Sequence, residues 1–326
     1  MRTTTLGADG VPVGWIGLGC MGMSWAYDEA GRDDATSLDV IHRAIDLGVT
    51  LIDTADVYGP YSNEQLVGRG LAGRRDEVVL ATKVGLLTDG ARAMHRNGRP
   101  EYVRGAIDGS LARLGVDHVD LYQLHRIDPA VPLAETWGAM AEVVAAGKAR
   151  AIGLSEVDVD DIKQAQAIHP VASVQSELSL WTRGQLADVV PYCEEQGIAF
   201  LPFSPLGRGF LTGAIASAED LPEGDMRRQM PRFQADAAEA NQAIVAGVRA
   251  VAERVGATPA QVALAWVVAQ GRYVVPIPGT KRLRYLEDNA GAGDLELPAD
   301  ALAELDGLPE PVGDRYGTSL PGVTGR

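Results

Sequence analysis

Leu51-Ile52-Asp53-Thr54-Ala55-Asp56-Val57-Tyr58-Gly59 begins as a strand and ends as something else. Val49 to Ile52 is apolar and β-branched, the pattern of a buried strand. Asp53 then puts a carboxylate on the last rung, where a buried strand has no use for one. Five residues later Tyr58 stands on the following loop, with Gly59 as the turn-former. An acid at a strand end with a phenol just beyond it asks what stands opposite, and the other strands answer.

Short apolar runs recur at Val13–Leu18, Thr50–Thr54, Val78–Val84, Val119–His125, Ala149–Leu154, Ala172–Gln175, Ile198–Phe203 and Tyr273–Ile277. Helical patterns separate them. Asp33–Leu47 puts Leu38, Ile41 and Ile45 on one face and stops at Gly48. Pro100 opens a helix striped by Val103, Ile107, Leu111 and Leu114, closed by Gly115. Leu133–Ala146 and the segment from Thr258-Pro259 to Gln270 complete the clear cases. Eight strand–helix alternations in a chain of 326 residues favour an α/β (β/α)₈ TIM barrel over a doubly wound sheet. A hairpin around Asp9-Gly10 is expected to precede it. Roughly seventy residues between the seventh and eighth strands exceed one crossover, so Gly207–Phe233 is expected as an excursion loop and Ala235–Val255 as an extra helix. With no linker rich in Pro, Gly or Ser, residues 1–326 are expected to form a single domain.

Composition narrows the partners. Lys+Arg 29 against Asp+Glu 44 gives a net charge of −15, which argues against nucleic acid and anionic membrane surfaces. Cys20 and Cys193 have no metal-type spacing, so no metal is expected. The cysteine usage, with an N-terminus lacking a signal-peptide apolar run, predicts a cytoplasmic location. Nothing in the sequence sets the oligomeric state.

Barrel chemistry sits at the C-terminal ends of the strands. There the second strand offers Asp53, the third Lys83, the fourth His125, the fifth Ser155-Glu156, the sixth Gln175, and the seventh and eighth lead into Ser204-Pro-Leu-Gly-Arg-Gly and Pro278-Gly-Thr-Lys-Arg. Any one polar strand end is ordinarily a cap, a snorkelling side chain or a satisfied core group; Asp, Lys and His on three consecutive strands, with Tyr58 beside them, form a set. A free phenol titrates near ~10. An ammonium at about 4 Å is worth on the order of 4 kcal/mol at an effective dielectric near ~20, a ceiling of roughly three pKa units. Lys83 is therefore expected to stabilise the Tyr58 phenolate, Asp53 to hold Lys83, and His125 to hydrogen-bond a substrate oxygen, so that a carbonyl oxygen is protonated while a hydride reaches its carbon.

Asp53-Thr-Ala-…-Tyr58-Gly, Ala81-Thr-Lys83, Leu124-His125 and Ser204-Pro-Leu-Gly-Arg-Gly, in that order, resemble the motifs of the aldo-keto reductase family over about Leu6 to Leu305. Gly153-Leu-Ser-Glu, Gln175-Ser-Glu-Leu-Ser-Leu-Trp-Thr-Arg and Gly279-Thr-Lys-Arg-…-Tyr285-Leu-Glu-Asp-Asn resemble its bacterial and plant branch with perakine and pyridoxal reductases. The resemblance implies a barrel binding extended NADPH (or NADP⁺, with NADH possible) without a Rossmann domain. It implies the tetrad Asp53, Tyr58, Lys83 and His125, with Tyr58 as general acid. By the same resemblance Ser155 and Gln175 hold the nicotinamide amide and Phe203 stacks on the ring. The pyrophosphate lies along Ser204, Pro205, Leu206, Gly207, Arg208 and Gly209. The adenosine phosphate lies at Gly279, Thr280, Lys281 and Arg282, with Asn289 near the adenine. Gly19, Cys20 and Met21 at the first strand's rim complete the cofactor set. The chain departs from the family at Glu156, where many members have Asn, at Phe203 for Tyr, and at Tyr285, where other branches place an Arg on the 2′-phosphate. Independently, Thr280-Lys281-Arg282 opens a helix, where free N–H groups and the dipole favour phosphate.

Gly17-Leu-Gly19-Cys-Met-Gly22 matches a dinucleotide fingerprint, with Asp39 twenty residues past Gly19. No helix is expected to open at Gly22, and Asp39 lies inside an amphipathic helix rather than at a strand end, so the Rossmann reading is set aside. Trp25, Tyr27, Trp181, Leu86–Arg99, Gly207–Phe233 and Tyr316 are the candidate substrate rim, suited to an apolar or ring-bearing carbonyl. The expected activity is NADPH-dependent reduction of an aldehyde or ketone. The alternatives are oxidation of a secondary alcohol or sugar with NAD(P)⁺, and a non-catalytic regulator resembling potassium-channel β-subunits.

Overall fold

Two antiparallel strands, β1 (Thr3–Thr5) and β2 (Pro12–Gly14), open the computed structural model, which describes residues 1–8, 10–88 and 94–317. Then follow β3 (Leu18–Gly19), α1 (Met21–Ser24), α2 (Asp34–Asp46), β4 (Leu51–Asp53), α3 (Ser62–Gly70) and β5 (Val79–Val84). A second hairpin, β6 (Leu86–Thr88) with β7 (Met94–Arg96), precedes α4 (Pro100–Leu114), β8 (Val119–Leu124), α5 (Leu133–Ala145), β9 (Ala149–Ser155) and α6 (Val159–Gln166). The chain continues through β10 (Ser173–Gln175), α7 (Val189–Gln196), β11 (Ala199–Phe200), α8 (Ala235–Val255), α9 (Pro259–Val268), α10 (Leu283–Gly291) and α11 (Ala299–Asp306).

Helix ends follow local chemistry. Asp33 caps α2 by accepting the Thr36 amide at 2.7 Å. Thr258 and Gln261 form a capping box on α9, with Pro259 at its first position. Gly115 ends α4 at φ 68°. The expected extra helix is α8.

Seven parallel strands run in the order β3-β4-β5-β8-β9-β10-β11. Residues 273–279 close the circle. On one flank Phe200 N donates to Tyr273 O (2.9 Å), Val275 N to Phe200 O (2.9 Å) and Ile277 N to Pro202 O (3.0 Å). On the other, Gly17 N donates to Pro276 O (2.9 Å) and Gly19 N to Pro278 O (3.3 Å). Pro276 and Pro278 have no amide to return, so the seam lacks ladder donors at those two positions. The expected (β/α)₈ barrel is the fold.

Two expectations shift. The run Val13–Leu18 is not one strand: Val13 belongs to the hairpin and the barrel strand is only Leu18–Gly19. Gly14 marks the break, since a Cβ there would lie 2.2 Å from the Gly48 carbonyl oxygen. One helical turn, α1, does open at Met21, but it ends at Ser24. Asp39 lies inside α2, and the strand order leaves no doubly wound crossover. The expected β1–β2 hairpin is present; Asp9 itself lies outside the described residues.

Period-two alternation builds the site. Leu51, Val79, Ala81, Leu121, Ala199, Leu201, Val275 and Ile277 pack inside the barrel, and Leu6 and Val13 of the hairpin join them. One further inward step up the strands the residues turn polar: Leu51 gives way to Asp53, Ala81 to Lys83, and Leu121 to Gln123. Gly153 gives way to Ser155 and Ser173 to Gln175. A larger apolar layer lies between the strands' outer faces and the helices, including Ile52, Leu80, Tyr122, Trp137 and Trp266.

Candidate active site

Asp53, Lys83, Tyr58 and His125 meet at the barrel mouth, each buried. Lys83 Nζ lies 2.5 Å from Asp53 Oδ1, donates to Thr54 O at 2.8 Å, and reaches the Tyr58 hydroxyl at 3.4 Å. The Tyr58 and His125 rings meet edge to face, with centroids 5.8 Å apart. Trp25, after the first strand, stands 5.7 Å from the Tyr58 ring.

Burial works against the Lys83 charge, but Asp53 and Tyr58 overcome it and hold its pKa above the ordinary lysine value. Burial raises the Tyr58 phenol above its usual value, and the opposing pull of Lys83 does not cancel it. Lys83 was expected to bring the phenol down; it limits the rise instead. Burial, with Arg126 and Lys83 nearby, pushes His125 well below the usual imidazole range, so the ring is neutral.

Sequence reasoning missed four participants. Gln123 Nε2 donates to Asp53 Oδ2 at 3.2 Å; its place two residues after inward Leu121 was the available signal. Arg126 is buried, donating from Nη1 to His125 O (2.6 Å) and to Ser155 Oγ (3.1 Å), while its Nε has no partner among the described residues. It ties the fourth strand's end to the fifth. Glu177, 1% exposed, binds Arg208 at 2.7 Å, Arg315 at 3.2 Å and the Thr182 hydroxyl at 3.1 Å. Arg315 also pairs with Glu156. No local pattern announces Arg315, which meets Glu156 from the far end of the chain.

The chain matches the Aldo/keto reductase family over residues 15–310. It belongs to the aldo/keto reductase family. "Probable aldo-keto reductase 1" of Glycine max is 43% identical over 318 residues, 97% of this chain and 91% of that protein. A glycerol dehydrogenase structure from Gluconobacter oxydans superposes with TM-score 0.83 at 30% identity, covering 93% of this chain and 94% of that one. A Klebsiella pneumoniae aldo/keto reductase in complex with NADP and acetate gives TM-score 0.72 at 28% identity, covering 97% and 99%. The chain is accordingly an NAD(P)H-dependent oxidoreductase of the carbonyl and alcohol class.

As an aldo/keto reductase it needs a nicotinamide cradle, and the described residues suit one in part. Ser155 is buried and receives the Arg126 hydrogen bond, which leaves its own proton free to donate. Gln175 commits its amide nitrogen to Asp53 (2.9 Å) and Gln123 (3.3 Å), leaving its oxygen as the acceptor. Phe203 carries the Arg315 guanidinium 6.0 Å from its ring centre. Ser204, Gly207, Arg208 and Gly209 all have positive φ, from 49° to 95°, across the Pro205-Leu206 turn. Within that turn the Gly207 and Gly209 amides already donate to Ser204 O (2.9 Å) and Leu206 O (3.0 Å). The Arg208 side chain is held by Glu177 and stacked on Tyr316 at 4.7 Å.

Gly279 pairs with Gly19 across the seam, Thr280-Lys281-Arg282 leads into α10, and Asn289 is buried within that helix. Cys20 is fully buried, and Met21 packs beside Tyr58 and Leu86. Of the expected substrate rim, Trp25 borders Tyr58 and Tyr27 lies under Arg227 at 4.6 Å. Trp181 is 2% exposed, stacked on Phe210 at 4.9 Å and edge-on to Phe233 at 5.8 Å. It packs the excursion from within. No cluster of three or more metal-type ligands occurs among the described residues.

Proposed function

We propose that this single-domain chain reduces an aldehyde or ketone with NADPH, Tyr58 delivering the proton to the carbonyl oxygen. The Lys83 ammonium, shared between Asp53 and the Tyr58 hydroxyl inside the barrel mouth, carries the reading. Reduced nicotinamide supplies the hydride when bound. Ser155 and the Gln175 oxygen orient its carboxamide, and Phe203 backs the ring. Neutral His125 donates an N–H to the substrate oxygen. Tyr58 holds its proton until negative charge develops on that oxygen, and Lys83 then stabilises the phenolate left behind. Lys281 and Arg282 take the adenosine 2′-phosphate. A cytoplasmic location fits two free, buried cysteines, and no described helix is long and apolar enough to cross a membrane.

Purified protein mixed with NADPH and a panel of aldehydes and ketones tests this. NADPH is expected to be consumed with at least one carbonyl and not by Tyr58→Phe; full activity in that variant removes Tyr58 from the role. Similarity to a glycerol dehydrogenase favours a second reading, oxidation of a polyol. Faster turnover of NADP⁺ with glycerol than of NADPH with every carbonyl at neutral pH selects it.

A further inference from the structure

The segment before α10 already holds an anion. Lys281 Nζ lies 3.1 Å from Asp28 Oδ2 and donates to Asp28 O at 2.6 Å. Arg282 Nη2 lies 3.9 Å from the same carboxylate oxygen. The charge of Arg32 is also felt at Lys281. Asp28 therefore sits where the two cations of the segment converge.

The loop is built to place it there. Asp28 adopts φ 39° and ψ 68°, a left-handed conformation that an L residue pays for in steric strain but that Asp and Asn tolerate best. Its amide donates to Asp225 Oδ2 at 3.1 Å, and Asp225 is itself fixed by three bonds from Arg227, one from its amide at 3.0 Å and two from its guanidinium at 2.9 and 2.7 Å. Gly31 makes room for the carboxylate: a Cβ there would lie 2.3 Å from Asp28 Oδ2. Backbone, neighbouring loop and glycine together aim one carboxylate at Lys281.

We infer that Asp28 sets cofactor discrimination in this chain, its carboxylate occupying on Lys281 and Arg282 the position that an adenosine 2′-phosphate takes. The inference rests on the reading of Lys281-Arg282 as the phosphate site. A phosphorylated cofactor must displace the carboxylate or share the cations with it, and two anions on one ammonium repel. NADH carries no such phosphate and meets no competitor. Asp28 thus lowers the preference for NADPH that the two cations alone would give.

Direct binding tests it. The purified full-length protein is titrated with NADPH and with NADH, following tryptophan fluorescence, for wild type, Asp28→Asn, Asp28→Ser and Lys281→Ala/Arg282→Ala. Asn keeps the left-handed backbone while losing the charge, and Ser guards against an effect of the amide. Asp28→Asn and Asp28→Ser are expected to tighten NADPH by about tenfold, about 1.4 kcal/mol, with NADH unchanged. The double variant is expected to weaken NADPH and spare NADH. If it weakens NADPH while both Asp28 variants leave the NADPH-to-NADH ratio unchanged or lower it, the phosphate site stands and Asp28 is not the competitor. If the double variant leaves the ratio unchanged, the phosphate site itself is misplaced and the inference falls with it.

Discussion

The Lys83 ammonium lies 2.5 Å from Asp53 Oδ1, with the two side chains 0% and 3% exposed. Asp53 is not a free base: its second oxygen accepts from Gln123 and Gln175. It anchors the ammonium that faces Tyr58. Removing one partner of a buried ion pair costs about 3–5 kcal/mol, because the other charge is left uncompensated. Asp53→Asn is expected to cut kcat by roughly a hundredfold or more and to lower the unfolding midpoint. Lys83→Met, which removes the charge outright, is expected to abolish reduction. Steady-state rates with denaturant melts check both. Near-wild-type turnover in Asp53→Asn shows that the ammonium needs no anchor.

The pH profile follows from the two aromatic groups. Burial raises Tyr58 above its ordinary value near ~10 and depresses His125 well below ~6.5. Neither changes protonation state between those limits. The kcat/KM for reduction is therefore expected to stay flat from about pH 7 to about pH 9. His125→Gln, which keeps an N–H donor, is expected to retain more activity than His125→Ala. A wild-type profile falling with an apparent pKa near neutrality means that another group supplies the proton.

Asp56, two residues before Tyr58, predicts a pH dependence of stability. Its carboxyl is buried, one oxygen has no partner among the described residues, and burial with the nearby Glu64 pushes its pKa up to about 8. The ordinary value of 3.8 applies in the unfolded chain. Between the two the unfolded chain releases the proton and the folded one keeps it, so unfolding gains ground as pH rises. The contribution of Asp56 is most favourable below pH 3.8 and fully lost above about pH 8. Asp56→Asn, which has no proton to lose, is expected to raise the melting temperature relative to wild type more at pH 8.5 than at pH 5. Equal shifts at both pH values mean that Asp56 is not protonated in the fold.

Much of this was legible because a barrel strand alternates and the alternation is short. Leu51 to Asp53 and Ala81 to Lys83 each read as apolar-in, then polar-in, and three such strands in succession located the rim. The first and eighth strands were harder. Gly14 and Gly17 break up the former, and Pro276 and Pro278 strip the latter of donors, so neither presents a full ladder. The β6–β7 hairpin was taken as part of the rim loop Leu86–Arg99. Asp28, Glu177 and Arg315 were not legible as site residues. Their partners lie 253, 31 and 159 positions away, and no periodicity spans such separations.

Glu156 illustrates this last point and yields a further prediction. It stands where the family resemblance leads one to expect Asn, and its φ of 55° aims it off the end of β9. One carboxylate oxygen accepts the Glu177 amide at 3.0 Å, and the other binds Arg315. The segment carrying Arg315 is also held by Asn241, which exchanges bonds of 2.8 and 3.0 Å with Val312, and by Arg232, which donates to Gly313 O at 3.2 Å. Glu156 thus fastens a C-terminal strap beside Phe203. The pair is part-exposed, so breaking it is expected to cost about 1–2 kcal/mol rather than the full buried value. Glu156→Gln is expected to loosen the strap, raise KM for the carbonyl several-fold with a smaller change in kcat, and speed tryptic cleavage after Arg315. Intact-mass analysis of a timed digest reads the cleavage directly. A variant cut no faster than wild type, with KM unchanged, shows that Asn241 and Arg232 hold the strap without Glu156.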